Sequence, residues 1–138
     1  MPRHDALVTL SLDTSALIAI QAGEPRASWV AGQLDAAHSL LVCAPVIAEL
    51  RPSLPDAENW VTSFGIDIDW EFSRAMWQRI GDLHAEYALR RQKAGAGMPR
   101  RLVTDFLIGA HAEVRGYALL TLNPADYAMF TELTLVQP

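Results

Sequence analysis

Leu7-Val8-Thr9-Leu10-Ser11-Leu12-Asp13-Thr14-Ser15-Ala16-Leu17-Ile18-Ala19-Ile20 changes its apolar period at a single acid. The first six residues suit a buried strand, and from Thr14 onward the spacing becomes that of a helix. Asp13 stands at the joint. In an open parallel sheet with crossover helices, ligands bind beyond the carboxyl ends of the strands, which makes an acid there a candidate for chemistry. The same position suits a helix N-cap, whose side chain accepts a hydrogen bond from a free backbone N–H. Both readings stand at this point.

The alternation continues along the chain. Thr14 to about Ala22 reads as a helix broken by Gly23-Glu24-Pro25, and Arg26 to about Ala37 as a second, with Trp29, Val30 and Leu34 at helical spacing. Leu40 to Ala44 is a buried strand, and Pro45 opens a helix where its missing N–H costs least. Arg51 to Asp56 is a break before a short helix over Asp56 to Ser63. Phe64 to Trp70 alternates apolar and acidic residues, the period of a half-exposed edge strand that presents Asp67 and Asp69 to water. Glu71 to about Gln92 forms the longest helix, with Phe72, Met76, Ile80, Leu83, Tyr87, Ala88 and Leu89 on its inner face. Thr104 caps a helix running to about Arg115, closed by Gly116. Tyr117 to Leu122 is a strand, Asn123-Pro124-Ala125-Asp126 a capped helical turn, and Leu133 to Val136 closes the sheet. The expected architecture is one α/β domain around a mostly parallel sheet of four or five strands.

Composition narrows the function classes. Of 138 residues, 51% are hydrophobic and 20% charged, which is a globular and not a disordered composition. Cys43 is the single cysteine, so no internal disulfide forms, zinc–thiolate chemistry has too few ligands, and a buried thiol is expected. Arg3 is followed by no long apolar region, and no run reaches a membrane-spanning length, so a soluble, unexported, cytoplasmic protein is expected. Eleven basic residues against sixteen acidic ones give a charge of −5, which argues against wrapping nucleic acid by charge alone. The basic residues are uneven, with Arg90, Arg91, Lys93, Arg100 and Arg101 falling close together. They form a candidate phosphate track, although basic residues late in a helix also complement its dipole.

Four acids occupy related places in this plan: Asp13 after the first strand, Glu49 in the helix after the second, Asp105 at the start of a late helix, and Asp126 beyond the next strand. Converging at one sheet edge they would repel one another, and Mg²⁺ or a similar hard divalent cation is the natural resident. His4, His38, His84 and His111 lack zinc-ligand spacing, and Ser15 has neither a base nearby in sequence nor a nucleophile elbow around it. Lys93 to Pro99 is glycine-rich but is no P-loop.

Four segments then carry a resemblance: Leu12 to Leu17, Ala44 to Leu50 (Ala-Pro-Val-Ile-Ala-Glu-Leu), Val103 to Ala112 (Val-Thr-Asp-Phe-Leu-Ile-Gly-Ala-His-Ala) and Leu120 to Tyr127 (Leu-Thr-Leu-Asn-Pro-Ala-Asp-Tyr). In this order they resemble the signature regions of PIN-domain proteins, nearest to the VapC-type toxins of toxin–antitoxin pairs. The resemblance spans nearly the whole chain and is weak between Arg51 and Met98. It implies a single PIN-like domain over residues 1–138 and a Mg²⁺- or Mn²⁺-dependent ribonuclease that hydrolyses RNA phosphodiester bonds. It also implies homodimerisation, with Trp60, Trp70 and Trp77 more suited to the core than to that interface. A cognate antitoxin would hold the enzyme silent, its tail placing an arginine among the carboxylates. Carried onto this sequence, Asp13, Glu49 and Asp105 become metal-binding acids, Asn123 or Asp126 completes the set, and Thr121 orients water or phosphate. Asp13→Asn is then expected to abolish cleavage while the metal-free melting temperature holds or rises.

Three rivals remain. A catalytically silent module would keep fold and acids and act by binding RNA or protein. A receiver-type phosphoryl-transfer protein needs a second acid beside Asp13 and a late lysine, where this chain has Leu12 and only Lys93. A nuclease acting on DNA would carry the same acids, since sugar recognition leaves no short motif.

Overall fold

A computed structural model describes residues 8–138; Arg3, His4 and Leu7, invoked above, lie outside the described residues. The elements are β1 (Thr9–Leu12), α1 (Thr14–Ala22), α2 (Ala27–Ala36), β2 (Ser39–Cys43), α3 (Ala44–Leu50), α4 (Ala57–Thr62) and β3 (Ile66–Asp69). They continue with α5 (Arg74–Lys93), α6 (Thr104–Arg115), β4 (Ala118–Leu120), a 3₁₀ turn (Pro124–Tyr127) and β5 (Leu135–Val136). The strands form one five-stranded sheet in the order β3-β2-β1-β4-β5. Every pairing is parallel, so the expected mostly parallel sheet of four or five strands is five-stranded and all parallel.

The order follows from burial. β1, β2 and β4 carry the continuous apolar runs and take the middle, with Leu12, Val42, Leu119 and Leu120 out of contact with solvent. The alternating Ile-Asp-Ile-Asp of β3 takes an edge. Six α-helices cover the faces. Cys43 is a free, buried thiol, and burial pushes its pKa up to about 12.

Several local expectations are corrected. α5 begins at Arg74 and not at Glu71, because Ser73 caps it: its Oγ accepts from Met76 N at 3.2 Å, and its own N–H points to Met76 Sδ at 3.3 Å. Thr104 is inside α6 and not its cap, a position held by Val103 with no side-chain bond. Asn123 likewise makes no side-chain cap. Leu89 lies outside the inner face of α5, at 56% exposure. Trp70 and Trp77 are surface residues, whereas Trp60 is half-buried and edge-on to Phe64. Asp69 does not face water as a solvated acid: its Oδ2 meets His111 Nε2 at 2.9 Å and Arg115 Nη2 at 3.1 Å, tying the edge strand to α6. Burial works to raise the Asp69 pKa, but the Glu71 amide, His111 and Arg115 outweigh it and hold the carboxyl below its usual range. Burial in turn pushes His111 down against the pull of Asp69. Asp67 is exposed as expected.

Candidate active site

The β1–β4 register pairs Leu12 with Leu120, so the next residue on each strand, Asp13 and Thr121, leaves the sheet at the same level. Asp13 N donates to Leu120 O at 3.1 Å and continues the ladder by one bond. Asp13 is also the N-cap of α1, so its capping and site readings coincide: Oδ1 accepts from Ala16 N at 3.2 Å and from Ser15 Oγ at 2.6 Å. Its other oxygen, Oδ2, accepts from Thr121 Oγ1 at 2.5 Å and from Tyr127 OH at 3.2 Å. Four donors therefore fill the roughly four lone-pair sites of a carboxylate that is only 4% exposed.

The donors are themselves held. Ser15 Oγ accepts from Leu122 N at 3.1 Å, and Thr121 Oγ1 accepts from Asn123 N at 2.9 Å. Arg26 reaches the same loop, with Nη1 donating to Leu122 O at 3.2 Å. Thr121 is wholly buried, and both hydrogen bonds of its hydroxyl lie inside the protein, so that hydroxyl positions Asp13 and does not face an incoming phosphate. Tyr127 is buried too, and burial together with the Asp13 and Asp105 charges pushes its phenol pKa well up, so it stays a donor.

The other acids are more open. Glu49 is exposed on α3, and its Oε1 accepts from Thr14 Oγ1 at 2.5 Å, linking α3 to the start of α1. Asp105 is half-buried in the first turn of α6. Its pKa is raised from 3.8 to about 6, first by burial and then by the charges of Asp126, Glu49 and Asp13. After burial, the charges of Asp126, Glu49 and Asp13 all act on Asp105, which brings the four acids within reach of one another's charge. Asn123 is exposed at the surface and contributes its backbone N–H to the network.

As they stand, no group of three or more His, Cys, Asp or Glu side chains among the described residues is placed to hold a metal ion. The donor chemistry nevertheless fits a hard divalent cation. All four donors are carboxylates, and no Lys or Arg pairs with them among the described residues. Such an ion needs only one or two carboxylates, completed by water and substrate phosphate. The arrangement is an open acidic edge and not a closed cage.

The basic cluster lies at the other end of α5 and beyond it. Arg90 pairs loosely with Glu86 at 3.8 Å, and Lys93 ends the helix. Arg91 donates from Nε to Gly97 O at 2.8 Å and lies 5.9 Å from the centre of the Tyr87 ring. Arg100 and Arg101 are exposed in the loop that leads into α6.

Reasoning from the sequence missed Thr14, Ser15 and Tyr127 as members of this network. Two hydroxyls directly after an acid that starts a helix are a local signal for Thr14 and Ser15. Tyr127 had none, because its contact spans 114 residues of chain.

A parallel α/β sheet with acids gathered beyond the carboxyl ends of its strands defines a class of fold that presents carboxylates to a ligand at that edge. The PIN domain model matches residues 10–127, and the chain belongs to that family. None of the curated proteins matches it in sequence. Among solved structures it is similar to a VapBC2 complex of Rickettsia felis bound to a DNA fragment from its promoter, with a TM-score of 0.64 at 17% identity over 95% of this chain and 99% of that one. VapBC-1 of nontypeable Haemophilus influenzae gives 0.61 at 18% identity over 94% and 98%. A toxin–antitoxin complex of Klebsiella pneumoniae gives 0.60 at 19% identity over 92% and 95%. At these identities the likeness is one of fold. No helix among the described residues is long and apolar enough to cross a membrane.

Proposed function

We propose that this chain is a VapC-type toxin: a Mg²⁺- or Mn²⁺-dependent ribonuclease silenced by a cognate antitoxin. The observation that carries the reading is the gathering of Asp13, Glu49, Asp105 and Asp126, where burial first and then the charges of the other three lift Asp105 to about 6, with no Lys or Arg paired to any of them among the described residues. Glu49, Asp105 and Asp126 would hold the ion, with Asp126 and not Asn123 completing the set, and Asp13 would join them only by giving up one of its four hydrogen bonds. When bound, such an ion polarises the scissile phosphate and lowers the pKa of a coordinated water. Ser15, Thr121 and Tyr127 fix the orientation of the Asp13 carboxylate. Arg90, Arg91, Lys93, Arg100 and Arg101 contact RNA phosphates.

The similarity to VapBC complexes supports a protein partner, whose tail we assign to the acidic edge, with an arginine among the carboxylates. A second copy of the chain fits elsewhere. Trp70 at 55% exposure and Trp77 at 48% form, with Phe72, Ala48 and Leu107, an open apolar groove of about 490 Å³. Large contiguous apolar surface of this kind marks an interaction site, and we assign it to homodimerisation.

Purified protein should cleave a total RNA pool with Mg²⁺ or Mn²⁺ but not with EDTA, and the products should vanish in Asp105→Asn. An absence of cleavage from folded, antitoxin-free protein with either metal would sink the enzyme reading. The silent-module alternative would then stand, and the saturated hydrogen bonding of Asp13 favours it.

A further inference from the structure

Beside the acids lies a second feature that hydrolysis alone does not use. A cleft of about 230 Å³ opens between α5, α6 and the 3₁₀ turn, with Asp105 and Asp126 in its wall and Tyr87, Val103, Phe106 and Met129 supplying apolar surface. Tyr87 and Phe106 meet edge to face at 5.7 Å and 79°. Its volume is below the roughly 300–1,000 Å³ of pockets that enclose a whole small molecule, so it suits a single planar ring system. On its outer side Arg91 covers the Tyr87 ring, its Nε held by Gly97 O, and Arg90 lies one residue earlier on the same helix. Arg100 and Arg101 precede the lining residue Val103 by three and two positions. One small recess thus joins an aromatic and thioether wall to two acids, with the Arg91 guanidinium over the Tyr87 ring.

We propose that this cleft is a base-binding subsite, in which an unpaired nucleobase next to the scissile phosphate stacks against Tyr87 and Met129 while the neighbouring phosphate meets Arg91. The inference rests on the ribonuclease reading. RNA recognition works mainly on unstacked bases splayed onto aromatic side chains and arginine planes, and the cleft offers both beside the acidic edge. A single recess takes one nucleotide, and because stacking accepts the face of any base it fixes the position of the cut relative to one splayed base without choosing its identity.

The test uses the full chain and short single-stranded RNAs. In the first arm, 2-aminopurine is placed at each position in turn and its fluorescence is followed on binding in Ca²⁺. In the second, cleavage of the same RNAs with an abasic nucleotide at each position is timed in Mn²⁺. One position should be quenched on binding, and an abasic site there should lower kcat/KM by about tenfold, the scale of one lost base–aromatic stack. Tyr87→Ala should remove both effects. Ala128→Trp fills the cleft from an exposed wall position, spares the core and should do the same. Quenching that survives in both variants, or abasic penalties equal in wild type and variants, would overturn the subsite. So would RNA that binds and is cut with no position quenched, the result expected if the cleft takes an apolar side chain of a protein partner. RNA neither bound nor cut by the wild type removes the ribonuclease reading itself, and the subsite with it.

Discussion

Replacing Asp13 with Asn keeps the side chain's size but turns one acceptor oxygen into an NH₂ group facing two donors. On the Oδ1 side the Ala16 N–H cannot become an acceptor, and on the Oδ2 side a Thr121 or Tyr127 hydroxyl that turned to accept would lose the acceptor for its own proton. Asp13→Asn should therefore cost about 1–3 kcal/mol of stability in urea unfolding, the penalty for a buried polar group without a partner. The sequence alone leads to the expectation of an unchanged or higher melting temperature for this variant; the buried, fully bonded carboxylate predicts the reverse, and a rise is expected at Asp105 instead. With a folded pKa of about 6 against 3.8, Asp105 binds more protons in the folded state. Metal-free stability then falls as pH rises through that window, and the full penalty remains above it. Asp105→Asn should raise the metal-free melting temperature above about pH 7 by a few degrees, with the gain disappearing near pH 4. A calorimetric series giving the same difference at both ends would refute this account.

At the scale of elements, α6 does two jobs. Its first turn carries Asp105, and its middle lets Phe130 lie against the helix backbone at Gly109. A Cβ built on Gly109 would come within 2.4 Å of the Phe130 ring. Phe130 is itself boxed in, with Arg79 over its face at 5.6 Å and Tyr127 at 6.1 Å. Gly109→Ala should thus destabilise the protein by about 1–3 kcal/mol despite alanine's better helix propensity, and because Tyr127 adjoins Phe130 the loss should reach the Asp13 network. Equal or higher stability by denaturant titration would show that Phe130 moves aside freely. The loop between α5 and α6 gives a separate prediction. Arg100→Ser with Arg101→Ser should weaken RNA binding and reduce the slope of log K against log salt by about 0.7 per lost phosphate contact. An unchanged slope would remove both residues from the RNA path.

For the molecule as a whole, the groove carrying Trp70 and Trp77 lies away from the sheet centre, on surface contributed by α3, α5 and the segment between β3 and α5. A dimer formed there should dissociate in Trp77→Glu without loss of fold, since Trp77 is 48% exposed and only its neighbour Met76 is buried in the core. Sedimentation of wild type and variant at matched concentration reads this directly. A wild-type monomer, or a variant that remains dimeric, would send the groove to another partner.

What the local chain determines here is the succession of elements. The apolar runs of β1, β2 and β4, the alternation in β3 and the amphipathic stripe of α5 depend on neighbours a few residues apart, where period and propensity act. The acids at the ends of these elements were legible for the same reason, since a strand-to-helix joint is a local event. Tertiary structure alone decided what each acid does. The Leu12–Leu120 register sets Thr121 beside Asp13, Tyr127 closes over both, and Asp69 finds His111 and Arg115 on a helix far along the chain. Hydrogen bonding, burial and the field of other charges are properties of the folded neighbourhood, and no residue's own type or spacing encodes them.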